Sequence, residues 1–334
     1  MVSLIARRGL LLALAILLAG CNTVVMNPSG DIAAQQGHLV VVSTMLMLLI
    51  IVPVIVLTIV FAWHYRKNNT EATYEPDWDH STQLELVIWG APLLIIIALG
   101  LLTWITTHTL DPYRPLARLD AKHPIPAGTK PINVEVVALD WKWLFIYPDL
   151  GIATVNELAA PVDVPIHFKI TASTVMNSFY IPALAGQIYA MPGMQTSLNA
   201  VINKPGVFEG FSANYSGAGF SDMHFKFHGM TAANFDQWVQ ANKVAGTTLA
   251  RADYLQLEKP SQRDPIRHFG AVEADLYHAI LNRCVASGTI CMDQMMAINM
   301  SKNDPKLCVA KPEAGGQVAS VASIAQQRKI APIP

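Results

Sequence analysis

Residues 39–63 read LVVVSTMLMLLIIVPVIVLTIVFAW, about 25 consecutive positions without a formal charge. A helix rises about 1.5 Å per residue, so this stretch is long enough to exceed a hydrocarbon layer of roughly 30 Å. Pro53 lies near its middle and removes one backbone donor, which predicts a bend. The stretch therefore predicts a first transmembrane helix.

A second apolar stretch, residues 84–106, carries Trp89 and Trp104 toward its two ends, where indole rings favour the membrane interface. The intervening residues 64–83 begin with basic side chains directly after the first helix, as the positive-inside rule expects of a cytoplasmic loop. The two stretches therefore predict a transmembrane hairpin whose flanking segments both lie outside the cytoplasm.

The N-terminus has the composition of an export signal. Two arginines precede an apolar run at residues 10–18, and small residues end a predicted lipoprotein signal peptide over residues 1–20. Cys21 follows, and the string LAGC resembles a bacterial lipobox, which implies lipidation of Cys21. The alternative is a plain secretory signal with a chance cysteine. Residues 21–38 would then form a periplasmic N-terminal segment.

The composition agrees with a chain that is part membrane protein and part globular domain. Hydrophobic residues make up 52% of the sequence and charged residues 14%, too apolar for an ordinary soluble enzyme. The net charge of -1 provides no basic surface for phosphate backbones, so nucleic acid is excluded as a partner.

Short β-rich runs separated by turn residues begin near residue 131 and predict a sandwich or barrel. The predicted strands are residues 132–139, 141–147, 166–171, 196–202 and 206–213, and a helix is predicted over residues 232–244. These elements define a β-domain over residues 107–240 and a C-terminal extension over residues 241–300. The Ala-, Ser- and Gln-rich residues 301–334 are predicted to form a mobile tail.

Three strings in this β-domain carry a family resemblance: DWKWLFIYP at residues 140–148, VMNSFYIP at 175–182 and QIYAMPGMQ at 187–195. Together with the preceding hairpin, they resemble subunit II of heme-copper terminal oxidases, in the cytochrome bo-type ubiquinol oxidase branch. The resemblance implies an all-β, cupredoxin-like Greek-key barrel in the periplasm, preceded by the two-helix hairpin and followed by a helical, aromatic-rich extension.

In the cytochrome c oxidase branch of this family, the barrel holds a dinuclear copper centre with one early histidine and a Cys-x-x-x-Cys-x-x-x-His-x-x-Met loop. Bridging copper requires soft thiolates, completed by imidazole and thioether ligands. The matching positions in this chain are Asn177, Tyr215, Gly219, Met223 and Lys226. The resemblance therefore implies a barrel that has lost its copper and holds no other metal.

Two other interpretations compete at this end of the barrel. His224 and His228, with neighbouring methionines, suggest a new metal site, but packing or surface roles are favoured because no thiolate is near in sequence. Trp141, Lys142 and Trp143 fall in the region that takes electrons from cytochrome c in copper-bearing relatives. Here a strand with large buried rings is favoured.

Glu85 opens the second transmembrane helix at its cytoplasmic end. Its position resembles that of a subunit II glutamate that opens a proton path into subunit I, and a surface carboxylate that reaches water is the alternative. In the C-terminal region, Cys284, Cys291 and Cys308 allow one disulfide and one spare thiol in an oxidising compartment.

The resemblance implies a non-catalytic subunit of a proton-pumping ubiquinol oxidase in the bacterial inner membrane, lipid-anchored and in contact with membrane lipid. Subunits I, III and IV would be its partners, subunit I would hold the hemes and copper, and ubiquinol would reach the complex without cytochrome c. A cytochrome c oxidase subunit with a shifted copper site is disfavoured by the cysteine-free loop. A stand-alone periplasmic cupredoxin-fold assembly or binding lipoprotein is the alternative from another class.

Overall fold

A computed structural model describes residues 23–73 and 75–303. The predicted signal peptide, Cys21 and Cys308 lie outside the described residues, as do residues 304–334 of the predicted tail.

Two long helices form the predicted hairpin: α1 (Asp31–His64) and α2 (Thr82–Thr109). Both are long and apolar enough to cross a membrane, by length and composition. Helix α1 continues through Pro53. Ser81 caps α2, since its side chain accepts a hydrogen bond from the Leu84 backbone N–H (3.5 Å).

Helix α1 begins at Asp31 rather than at residue 39, because its first turns belong to the globular domain. The preceding Gly30 donates its backbone N–H to Ala183 O (2.9 Å), and a Cβ at Gly30 would lie 2.6 Å from two carbonyl oxygens. The buried Asp31 carboxylate accepts a hydrogen bond from Arg118 Nε (2.9 Å). The N-terminal end of α1 is therefore fixed within the β-domain.

The β-domain consists of two sheets. The larger has the strand order β11 (Thr247–Leu249), β12 (Arg267–Val272), β3 (Ile152–Val155), β2 (Lys142–Tyr147), β1 (Ile132–Leu139), β5 (Pro165–Ala172) and β8 (Thr196–Val201). The smaller has the order β4 (Glu157–Pro161), β10 (His224–Met230), β9 (Gly206–Ser212), β6 (Asn177–Tyr180) and β7 (Ile188–Ala190).

The larger sheet is buried on both faces at its central strands β2 and β3. Its inner face packs against the smaller sheet around an aromatic core that includes Trp143, Phe145, Phe179 and Phe225. Its outer face, with Leu144 among others, is covered by the C-terminal extension. All six residues of β2 are buried for this reason, so the strand shows no alternation of polar and apolar side chains.

Helix α3 (Ala232–Ala245) crosses the predicted domain boundary at residue 240, and the extension contains the helices α4 (Arg251–Leu257), α5 (Leu276–Leu281) and α6 (Met292–Asn303). The extension also contributes β11 and β12, which the expectation of a helical extension did not include. Strand β12 pairs with the otherwise free edge of β3, so its backbone groups gain partners that a surface helix would not offer. Cys284 and Cys291 form a disulfide, which resolves the pairing of these two cysteines.

Candidate functional site

The loop over residues 212–223, hereafter the barrel-end loop, connects β9 to β10, and the resemblance places the family's copper-binding loop here. Asn177 lies beside it, buried at the start of β6. The Asn177 amide donates to Val175 O (3.1 Å), and the Ser212 hydroxyl donates to Asn177 Oδ1 (3.2 Å). Asn177 thus links the loop to β6 by hydrogen bonds where the resemblance places a copper-binding histidine.

The indole of Trp141 supports the middle of the barrel-end loop. Trp141 Nε1 donates to Ser216 O (3.0 Å). A Cβ at Gly219 would lie 2.5 Å from a ring carbon of Trp141, and Gly217 adopts a positive φ of 117° against the same ring. A cysteine at position 219 therefore requires the indole to move, because the ring occupies the space of its side chain.

The side chains at the other three positions that match copper ligands lie in different environments. Tyr215 is 76% exposed and packs edge-on against Phe220 (ring centroids 5.6 Å apart), whereas Met223 is buried in the core. Lys226 lies on the exposed face of β10, opposite the core-facing Phe227. The five positions supply neither thiolate nor imidazole, so their donor set does not fit a dinuclear copper centre.

The histidines of β10 engage separate carboxylates. His224 Nδ1 lies 2.8 Å from Glu209 Oε1, and His228 Nε2 lies 3.3 Å from Glu157 Oε1. Within the described ranges, no group of three or more His, Cys, Asp or Glu side chains is placed to hold a metal ion. These contacts favour a surface role for the exposed His224 and a packing role for the largely buried His228.

Glu85 lies in the first turn of α2, on the hairpin's loop side, with a half-exposed carboxylate. The ring nitrogen Nδ1 of His80 lies 2.8 Å from Glu85 Oε1, and Nε2 lies 3.1 Å from Thr82 Oγ1. Sequence reasoning missed His80, although an imidazole just before a helix that begins with a carboxylate was a visible signal. The arrangement joins two groups that bind and release protons at the entrance of a membrane helix.

Comparison with known proteins identifies the family. Residues 149–229 match the family described as Cytochrome C oxidase subunit II, periplasmic domain, and residues 243–288 match the COX Aromatic Rich Motif. Cytochrome bo(3) ubiquinol oxidase subunit 2 of Pseudomonas putida is 48% identical over 268 residues, covering 80% of this chain and 82% of that protein. The chain belongs to the family of subunit II of cytochrome bo(3) ubiquinol oxidase.

A second relative agrees with this membership. Ubiquinol oxidase subunit 2 of Acetobacter aceti is 48% identical over 270 residues, covering 81% of this chain and 85% of that protein. Among solved structures, the periplasmic domain of subunit II of the Bradyrhizobium japonicum cytochrome oxidase has 23% identity and a TM-score of 0.33, covering 35% of this chain and 95% of that one. The family match and the relatives confirm the predicted resemblance, and the two apolar helices, the β-domain and its C-terminal helices confirm the predicted fold class.

In this bo(3)-type subunit, the aromatic-rich extension is held by a buried ion pair that sequence reasoning did not find. Lys142, at the start of β2, is only 1% exposed, and its Nζ lies 3.2 Å from Asp264 Oδ2. The ammonium also donates to Lys259 O (2.9 Å) and to the Ser261 hydroxyl. Three of its partners therefore lie in the short segment that connects α4 to β12.

The two side chains of this ion pair have shifted pKa values. Burial lowers the pKa of the Lys142 ammonium, although the Asp264 carboxylate opposes that effect. Burial alone would raise the pKa of Asp264, but hydrogen bonds from Ser261 and Lys142 outweigh it, and the pKa is lowered. The carboxylate is therefore ionised at neutral pH, as a buried partner of an ammonium must be.

Proposed function

We propose that the chain serves as the non-catalytic subunit II of a proton-pumping ubiquinol:oxygen oxidoreductase that reduces oxygen to water. Subunit I holds the hemes and the copper of the complex, and ubiquinol delivers electrons to subunit I without passing through this barrel. Subunits I, III and IV are the protein partners. The chain contributes to assembly, covers the periplasmic side of the complex and supports proton entry.

The observation that carries this proposal is the contact between Trp141 and Gly219. An indole ring occupies the space that a copper-binding cysteine needs, and none of the five matching positions holds a cysteine or a histidine. The chain's own residues therefore stabilise a protein surface at this end of the barrel and offer no electron carrier. This agrees with a donor that reaches the complex from the membrane.

Oxygen uptake by the complex purified with this chain in mild detergent tests the proposal. We expect rapid, inhibitor-sensitive uptake with ubiquinol and none with reduced cytochrome c. Uptake with cytochrome c would contradict the loss of the electron-entry site. A preparation without hemes or oxidase activity would favour the stand-alone cupredoxin-fold lipoprotein instead.

We infer that Glu85 collects protons at the cytoplasmic entrance of α2. Its support is the resemblance of its position, its half-exposed carboxylate and the His80 imidazole 2.8 Å away, which can exchange protons with it. Replacing Glu85 with Ala is expected to slow turnover and the reductive phase several-fold. Replacing the exposed loop residue Glu75 with Ala is the matched control. Unchanged turnover in the Glu85 variant would contradict the inference.

Lipidation of Cys21 is proposed on the lipobox and on the packing of the segment that follows it. A short 3-10 helix, Val24–Met26, lies along α1, and a Cβ at Gly37 would lie 2.7 Å from Val25 O. Gly37 lies two residues before the apolar stretch of α1, so the apolar side chains of Val24–Met26 lie near the periplasmic surface of the inner membrane. Labelled palmitate should enter the wild-type chain and not Cys21→Ala, whose two helices keep it in the inner membrane. Labelling of Cys21→Ala would contradict the proposal.

A further inference from the structure

Methionines are concentrated on one side of α6. The chain has 13 methionines, and Met292, Met295, Met296 and Met300 fall within this one helix. Their spacing of three, four and eight residues from the first places them on the same side of an α-helix. No other described segment combines so many thioethers in so few residues.

The first turn of α6 is held in place from two sides. The Cys284–Cys291 disulfide immediately precedes it, and Asn282 O accepts the backbone N–H of Met292 (3.0 Å). The side chain of Met292 packs over Gly193, where a Cβ would lie 3.0 Å from its terminal methyl. The Met292 thioether therefore lies beside the turn that carries Met194.

The neighbouring thioethers remain accessible. Met295, Met296 and Met194 are 45%, 62% and 56% exposed, respectively. Both cysteines among the described residues are consumed by the disulfide. The nearby imidazole and carboxylate engage one another, since His278 Nε2 lies 3.1 Å from Asp293 Oδ2. Thioether sulfurs are therefore the soft donors that this surface offers.

We propose that the first turns of α6 bind copper(I), with Met292, Met295 and Met296 as thioether ligands and Met194 as an adjacent ligand. Thioethers are soft, neutral donors that select copper(I) over harder cations such as Mg²⁺ and Ca²⁺. Side chains at these helical spacings can direct their sulfurs toward one point, and methionine's unbranched chain adapts to the ion. The site lies outside the barrel-end loop and is independent of the proposed oxidase role.

A purely apolar docking surface is the competing explanation, since exposed methionines also form adaptable contact surfaces. Leucine distinguishes the two, because it preserves apolar area and helix propensity but lacks sulfur. The variant Met292→Leu/Met296→Leu should therefore fold and assemble normally while losing the metal. Met26→Leu, which changes an exposed methionine far from α6 in sequence, is the matched control.

The test uses the full chain in mild detergent, with free thiols alkylated so that Cys308 cannot bind the ion. Copper(I) is titrated without oxygen against a chromophoric chelator, and X-ray absorption reports the ligand atoms. We expect one bound equivalent with a sulfur-only shell, and a loss of about tenfold or more in apparent affinity in the double variant, equivalent to about 1.4 kcal/mol. Met26→Leu should bind like the wild type. Equal binding by the double variant, a nitrogen or oxygen shell, or no binding by the wild type would overturn the proposal.

Discussion

Trp141 and Lys142 are consecutive residues that hold two different regions of the barrel. Trp141 supports the barrel-end loop through one neutral hydrogen bond and ring contacts with two glycines. Lys142 holds the aromatic-rich extension through a buried ion pair with Asp264. Trp141 lies in the turn before β2 and Lys142 is the first residue of that strand, so one short segment serves both regions. The comparison shows that the loop is supported by the shape of a ring, whereas the extension has a charged anchor in addition to its apolar packing.

The largest expected effect on stability comes from breaking the ion pair between Lys142 and Asp264. Lys142→Met removes the buried ammonium and leaves Asp264 with the half-exposed Arg267 as its cationic partner, which should cost about 3 kcal/mol of unfolding free energy, the low end for a broken buried pair. Thermal unfolding should show a much lower midpoint, and amide exchange should show the extension opening first. Lys226→Met, which removes an exposed lysine, should change little.

A second variant sharpens the interpretation of the first. Lys142→Met/Asp264→Leu removes both charges and should recover much of the loss, because no unpaired charge remains buried. Equal loss in the single and double variants would mean that packing of the lysine stem, and not charge pairing, holds the extension.

The disulfide gives the next largest effect on the same region. Cys284→Ser/Cys291→Ser opens a bridge between residues seven positions apart, which should cost about 2–3 kcal/mol by loss of the loop constraint. Amide exchange should increase in α5 and α6 and stay unchanged in the barrel-end loop. Exchange that increased equally in both regions would contradict their independence. Cys308→Ser serves as the control, with no expected change.

A smaller effect is expected on the loop side. Gly219→Cys places a Cβ against the Trp141 indole and should cost about 1–3 kcal/mol through overpacking. Trp141→Ala in the same chain should relieve that cost, so the two changes should be non-additive in a double-mutant cycle. Additive losses would show that the indole does not determine the residue at position 219. Gly90→Ala, where a Cβ meets no neighbouring atom, is the control.

The smallest expected effect is a pH dependence of the extension alone. The pKa of Asp264 in the folded protein lies below the ordinary value of 3.8, so its stabilising contribution is present above that value and is lost as the pH falls through the folded pKa. Amide exchange of β12 should therefore increase in acid more than exchange of the barrel-end loop. Asp264→Asn should remove this difference, and its persistence would assign the acid response to another group.

Sequence patterns predicted the hairpin and part of the barrel because their signals are local. Strand β1 has the predicted bounds, and α3 differs from its prediction by one residue at its C-terminal end. The resemblance directed attention to the barrel-end loop. Short strands such as β7, with three residues, carry too little periodicity to be recognised.

The interactions that hold the extension could not be predicted in the same way. Lys142 follows the pattern of a lysine at the start of a strand, normally a solvent-exposed position, and nothing nearby in sequence indicates burial. Its partner Asp264 lies among turn residues far along the chain. The support of the barrel-end loop by Trp141 likewise depends on tertiary contact, so only the structure reveals why Gly219 is small.

The early start of α1 has a mechanical consequence. The helix runs without interruption from Asp31, fixed inside the β-domain, to His64, a length of about 50 Å. A domain joined to the membrane by a flexible linker can reorient freely over the bilayer. This β-domain is instead joined directly to a continuous membrane helix. A tilt of α1 within the lipid therefore changes the orientation of the barrel. The direction in which the barrel faces its neighbours is consequently set within the membrane.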